Sequence, residues 1–450
     1  MAGWIRRSAG VLLHPSSLPS GRIDADAERF ADWAAEAGFH IWQMLPVGAL
    51  DDHGSPYQPD SAYAGNAALF DHLPLPTAAQ VDAYVDANRD WLPDYALFVA
   101  LQRRHGSANW TRWPDALRMR DPAALGAARD ALSGDIAEVQ AAQCRFDLGW
   151  AAFKRGVNAR GILLFGDVPL FLAHHSADVW MHPDLFEIDA DGAPGASMGV
   201  PPDAFSDEGQ WWGYPPYRWD AMAAQGYRWW RRRFELQARR FDLIRIDHFR
   251  GLIAFWRIPR GAETARDGQW TPGPGRACID VLHDALHGTQ LVAEDLGYIT
   301  EDVFAARKAL GIPGMRVLQF AFDGDPHNPH LPANHEAETV CYTGTHDNDT
   351  TLGWWNALTE DARAYIAKVL GESRPQMPQA LVRYAWSSPA PLSIVPLQDL
   401  LGLDGSARMN RPGTTGGNWS WRFDWNQFAP DLAAQLRQQL SQYGRAADAR

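Results

Sequence analysis

The chain has 450 residues, 46% of them hydrophobic and 21% charged, a composition that can bury a large core and is not that of a disordered or membrane protein. Its formal net charge of −13 argues against nucleic acid and anionic membranes as partners and suits a neutral polymer or small molecule. Trp is abundant, with 21 residues, and Lys is scarce, with only Lys154, Lys308 and Lys368; there is no GxxxxGKS/T phosphate loop and little choice for a lysine Schiff base.

In chain order, eight short apolar runs end in polar or Gly/Pro residues and read as buried parallel strands. GVLLHP from Gly10 is first, followed by a helical pattern from Asp26 to Gly38 with Phe30, Trp33, Ala34 and Ala37 on one face. HIWQMLPV from His40 is second, and residues 67–155 after it carry helical patterns. GILLFGDVP from Gly161 is third; residues 175–235 after it are rich in Gly, Pro and aromatics and begin as a long loop. The fourth and fifth are DLIRIDHF from Asp242 and QLVAEDLG from Gln290, with a helix from Thr300, its N-cap, to Gly311. MRVLQFAF from Met315, TVCYTGTHD from Thr339 and SIVPLQD from Ser393 complete the set. Eight strands alternating with helices predict an α/β fold, a (β/α)8 TIM barrel, as one catalytic domain over 1–450. The insertions at 67–155 (helical) and 175–235 (a groove loop) would overhang the mouth. Cys144, Cys278 and Cys341 form no CxxC, and the apolar run AGVLL is too short for a signal-peptide core. No stretch suggests a transmembrane helix. A reducing, cytoplasmic location is expected.

The C-terminal ends of barrel strands face the catalytic mouth. There the sequence places His14, Asp167, Arg245, Asp247, His248, Glu294, Asp295, His346, Asp347, Asp349, Gln398 and Asp399. Carboxylates dominate; Ser, Cys and Lys are nearly absent. Convergent carboxylates suit glycosyl transfer, in which one ionised group attacks the anomeric carbon and a protonated one serves the leaving oxygen. Any single Asp at a strand end can equally be the N-cap of the next helix. Asp295 is expected to be structural, because it points opposite to Glu294; Arg245 shares the face of Asp247 and would hold it ionised. His346 and Asp347 could be metal ligands, but no HExxH or regular His spacing supports that. GASMG from Gly195 matches the GxSxG nucleophile elbow, yet it reads as loop on both sides, where the elbow needs a strand and then a helix. Aromatics from Gly199 to Trp219, including Phe205, Trp211 and Trp212, suit stacking on sugar C–H faces, although Trp212 and Trp219 could simply pack the loop down.

Taken together, RIDHFRG, AEDLGYIT and TGTHDNDTTLGWW are highly specific, and with GVLLHPSSLP, SPYQPDSAYAGN, GDVPLF, GVPPDAFS and ARMNRPGTTGGNWSWR the sequence resembles, nearly end to end, the 4-α-glucanotransferases (amylomaltases, disproportionating enzymes) of glycoside hydrolase family 77. The resemblance implies Asp247 as nucleophile of a covalent β-glucosyl intermediate, Glu294 as general acid/base and Asp347 as transition-state stabiliser. It further implies substrate contacts from Tyr57, Arg245, His346, Asn418 and Trp419, to which the strand-end and aromatic readings add Asp167, Phe205 and Trp212; α-1,4-glucan substrates, and neither metal nor cofactor, are expected. The oligomeric state is left open between monomer and simple homodimer. Against the family pattern a loop after HPSSLP is missing, the stretch between Leu73 and Trp91 is short, and Ala204, Tyr214, His174 and His175 stand where other residues are usual. These departures border the substrate groove. Among the tryptophans, Trp33 and Trp42 are expected in the core, and Trp211, Trp212, Trp354, Trp355, Trp419 and Trp421 at the mouth. An amylase-like hydrolase on the same scaffold and a non-catalytic glucan-binding protein are the alternatives.

Overall fold

The computed structural model describes residues 6–50, 54–202, 207–414 and 416–448. Twelve strands occur among them: β1 (Ser8–Leu12), β2 (Ile41–Gln43), β3 (Leu163–Val168), β4 (Ala196–Val200), β5 (Gln210–Trp211), β6 (Leu243–Ile246), β7 (Ala254–Pro259), β8 (Gln269–Pro272), β9 (Gln290–Ala293), β10 (Gly314–Val317), β11 (Thr339–Tyr342) and β12 (Leu392–Pro396). Eight of them close into a parallel barrel in the order β1-β12-β11-β10-β9-β6-β3-β2. These are the eight apolar runs of the sequence. The chain winds round the barrel in order, and β1 closes it by pairing with both β2 and β12, Gly10 lying opposite Ile41 and Ile394. A side chain at Gly10 would collide with both isoleucines, which is why the closing strand carries glycine there.

Two apolar layers follow from the alternation of strand side chains. Leu12, Ile41, Phe165, Leu243, Val292 and Ile394 fill the barrel interior. Their sequence neighbours Val11, Trp42, Leu164, Ile244, Leu291 and Val395 face outward into the layer shared with the helices. Helix Ala25–Glu36 is representative. Asp24 caps its first turn and Phe30, Ala31 and Ala34 are buried, with Gly38 beyond its end at φ 86°. Thr300 stands at the N-cap of helix Glu301–Ala309 as expected, but its side chain makes no capping bond there.

Between β2 and β3 the described residues form helices and no named strand; the longest helix is Ser133–Ala159, 27 residues. This insertion steadies the loop after β2, since the Gln143 amide exchanges two hydrogen bonds of 2.9 Å with the backbone of Gly65. The region 175–235 departs from its reading as loop. Ala196–Val200 is a strand, and β5-β4-β7-β8 form an antiparallel sheet outside the barrel. Ser197 therefore lies within a strand, its hydroxyl accepting from Gly213 N at 2.9 Å. The dismissal of the nucleophile elbow stands on different ground from the one expected: no strand-to-helix turn carries Ser197. Among the described residues no helix is long and apolar enough to cross a membrane.

Candidate active site

Inward-facing positions of adjacent strands deliver the polar residues to one end of the barrel. In β6, Leu243 faces the interior, so Arg245 and then Asp247, two and four residues on, follow it up the same side. In β9, Val292 faces inward, Glu294 continues that line and Asp295 turns out. Asp295 is buried and bound by Arg316 and Arg307, and it accepts from Met315 N at 2.7 Å. A side chain at Gly314 would strike this carboxylate. Asp295 is thus the structural member of the pair.

Arg245 organises the centre. One guanidinium nitrogen contacts Asp247 at 2.9 Å and Asp167 at 2.7 Å. Burial opposes its charge, yet the two carboxylates hold it fully protonated. Asp167, 3% exposed, also accepts from the Tyr57 hydroxyl at 2.7 Å; it reaches the mouth through Arg245 and Tyr57. Tyr57 stacks on His346 (centroids 4.9 Å, 17°), with Trp419 5.9 Å away. Its phenol is pushed well above its ordinary range, first by burial and then by the charges of Asp167, Asp247 and Asp347, with Arg245 opposing.

Glu294 differs from Asp247 in its surroundings. Burial raises its pKa to about 7 against the pull of Arg245, and Asp247 pushes in the same direction as burial. Two backbone donors grip it, Leu296 N at 2.7 Å and His248 N at 2.8 Å. His248 adopts φ 51°, a left-handed conformation unfavourable for a non-glycine residue, and in it the amide reaches Glu294. The His248 ring is held edge-on by Trp212 at 5.0 Å and pushed by burial to a pKa of about 4, so it is neutral near pH 7.

Asp347 is more open, its side chain 47% exposed. Asn410 donates to its carboxylate at 2.6 Å, and Arg408 donates to its carbonyl at 2.6 Å. Neither residue is singled out in the sequence, although both lie in the ARMNRPGTTGGNWSWR segment; nothing in local spacing says which of its polar residues reaches back across the mouth. Trp419, at φ 62°, leans toward Tyr57 and His346. Asn418 folds its own loop, accepting from Arg411 N at 3.0 Å and donating to Thr414 O at 3.0 Å. Phe205 and Ala204 lie outside the described residues. Tyr214 packs near Trp212 and donates to the Tyr57 carbonyl at 3.5 Å.

Several strand-end candidates brace the site from behind. Asp399 is buried and accepts from Thr343 and Thr351 hydroxyls, both at 2.7 Å. Gln398 donates to Ala407 O at 3.2 Å, and Asp349 accepts from Thr350 N at 2.8 Å. His14 is buried, with a pKa driven to about 3 by desolvation and by His346; it lines a cavity with Ser17, His346, Met409 and Trp421. Trp354 and Trp355 are half-buried, Trp354 packing against Phe322 and Trp355 under the Arg363 guanidinium. Both lie on helix Thr351–Ala357, which follows the Asp347 loop. Trp42 is fully buried and Trp33 packs on the same core, as expected. Among the described residues no group of three or more His, Cys, Asp and Glu side chains is arranged to hold a metal ion.

A closed parallel barrel with an arginine-centred carboxylate cluster at its mouth defines a class, the (β/α)8 barrels that carry acid, base and nucleophile on strand ends. The family model described as 4-alpha-glucanotransferase, glycoside hydrolase family 77, matches residues 12–75 and 71–427, and the chain belongs to that family. The 4-alpha-glucanotransferase of Thermus thermophilus is 40% identical over 487 aligned positions, covering 96% of this chain and 97% of that one. Its counterpart in Synechocystis is 39% identical, covering 98% of each. The Thermus alignment is longer than this chain's 450 residues, so deletions fall here, in keeping with the short segments noted in the sequence. An amylomaltase from Streptococcus agalactiae, solved with acarbose, superposes with a TM-score of 0.93 at 30% identity, covering 98% of this chain and all of that one.

Proposed function

We propose that this chain is a retaining 4-α-glucanotransferase, moving α-1,4-glucan segments between maltooligosaccharides or starch-type glucans from a single catalytic barrel domain. One observation carries the reading. Asp247 and Glu294 end neighbouring strands, and their environments divide the labour: Asp247 sits on a guanidinium, while Glu294 has a pKa of about 7. A carboxylate beside a fixed cation is suited to attack the anomeric carbon, and a carboxyl that keeps its proton near neutrality is suited to protonate the leaving oxygen. Attack by Asp247 forms its ester to the sugar and breaks the glycosidic bond, whose oxygen takes the Glu294 proton. An acceptor hydroxyl then gives its proton back to Glu294 and displaces Asp247, forming the new α-1,4 bond. Asp347 and His346 line the same mouth, where they would hold the sugar hydroxyls, with Tyr57 and Trp419 as ring partners. The family membership and the acarbose-bound relative support α-glucans as the substrate class. Three buried free cysteines fit a cytoplasmic location.

Incubation with maltotriose tests the reading. Transfer yields glucose together with a ladder of longer oligomers. Glucose and maltose alone would point to hydrolysis, and binding without turnover to a non-catalytic glucan-binding protein.

A further inference from the structure

Among the described residues Tyr298 is one of the most exposed large hydrophobic side chains, at 63%. A single exposed aromatic is ordinary; its support and position are not. The ring stacks on Trp270 (centroids 6.2 Å, 21°), and Trp270 rests edge-on against Trp256 at 5.2 Å. The Arg250 guanidinium lies 3.7 Å over Trp270, and Arg250 also donates to the Tyr298 carbonyl. Two rings and a guanidinium thus back the exposed ring.

The platform joins the two catalytic segments. Arg250 lies three residues after Asp247, and Tyr298 four after Glu294. The bond between them ties the turn after β6 to the loop after β9, both at the mouth end. A general acid/base faces the leaving and incoming oxygens, so the segment just beyond Glu294 flanks the acceptor side. Tyr57, His346 and Trp419 gather around Asp167 and Asp347 instead. We propose that Tyr298, backed by Trp270 and Arg250, is an acceptor-side stacking platform that receives a glucose ring of the incoming α-glucan beyond the one that reacts. The proposal rests on the glucan-transfer reading. The flat C–H face of an α-linked glucose suits a fixed aromatic ring, and a neutral sugar needs no charge to match the neighbouring guanidinium.

The test varies the acceptor at saturating donor, with glucose and maltotetraose as acceptors, for wild type, Tyr298→Ala and Tyr298→Phe. The hydrogen bond at this position uses the backbone carbonyl, so the alanine variant keeps it. Tyr298→Ala should raise the maltotetraose KM by about three- to tenfold, the loss expected of one ring stack. The glucose KM and the kcat at saturating donor should stay as in wild type, and Tyr298→Phe should restore the maltotetraose KM. An unchanged maltotetraose KM in the alanine variant, or a phenylalanine variant as impaired as alanine, overturns the proposal. Altered sedimentation of the alanine variant with unchanged KM also overturns it, by marking a self-association surface. Absence of transfer by wild type would overturn the functional reading separately. Calorimetric titration with maltohexaose then decides the platform alone: weaker binding by the alanine variant supports it, and equal binding refutes it.

Discussion

Asp247 and Glu294 end adjacent strands with different neighbours, and substitution at either position should report the difference. Asp247→Asn removes the nucleophile and Glu294→Gln the proton donor; each should lower kcat by at least about 10³-fold with far-ultraviolet circular dichroism unchanged. Near-normal turnover in either variant would end the role assignment. Since Glu294 must be protonated to act on the leaving oxygen and its pKa is about 7, kcat/KM should fall as pH rises above that value. A flat profile to pH 9 would contradict it. The same shift affects stability. In the unfolded chain Glu294 returns to its ordinary value near 4.5, so between 4.5 and about 7 the folded state holds the extra proton and stability declines as pH rises. The cost reaches about 3 kcal/mol above pH 7. Glu294→Gln should therefore melt above wild type at pH 8 and lose that advantage at pH 4, as differential scanning calorimetry would show.

At the scale of elements, the late loop acts as a brace. Asn410 holds the Asp347 carboxylate, and a hydrogen bond to a charged group contributes roughly 1.5–3 kcal/mol. Asn410→Ala should cost about tenfold or more in kcat/KM, and Asn410→Asp, placing like charges together, should cost at least as much. The eight barrel strands were legible because a strand covered on both faces is a short apolar run with polar ends, and the inward alternation from Leu243 to Arg245 and Asp247 can be read directly. The outer sheet was not legible. Ala196–Val200 has Ala, Ser and Gly at three of its five positions, Ala254–Pro259 mixes Trp and Arg on half-buried faces, and their pairing bridges some sixty residues of chain. Asn410 and Arg408 escaped notice for a related reason: they meet Asp347 across more than sixty positions, at a distance no periodicity encodes.

At the scale of the molecule, one arginine clasps the bottom of the barrel. Arg445 is fully buried, and its guanidinium donates to the carbonyls of Ser8, Trp386, Ser388, Ala390 and Pro391, tying the segment after the last helix to the starts of β1 and β12. Arg445→Ala leaves those acceptors unanswered and should lower unfolding free energy by roughly 3 kcal/mol or more. Turnover per folded molecule at 25 °C should be unchanged, because the clasp is at the opposite end from the mouth. A loss of kcat without a loss of stability would show the clasp to be functional.

A closed barrel has no free strand edge, but the sheet β5-β4-β7-β8 beside it has two. Such edges are templates on which a neighbouring copy can add a strand, and this is a hazard for a protein working at high concentration. Both edges here are poor templates. β5 is only two residues long, and β8 is four residues ending in Pro272, which has no amide proton to offer. The fold can therefore carry an aromatic shelf beside its catalytic mouth without offering a long edge on which filaments could start.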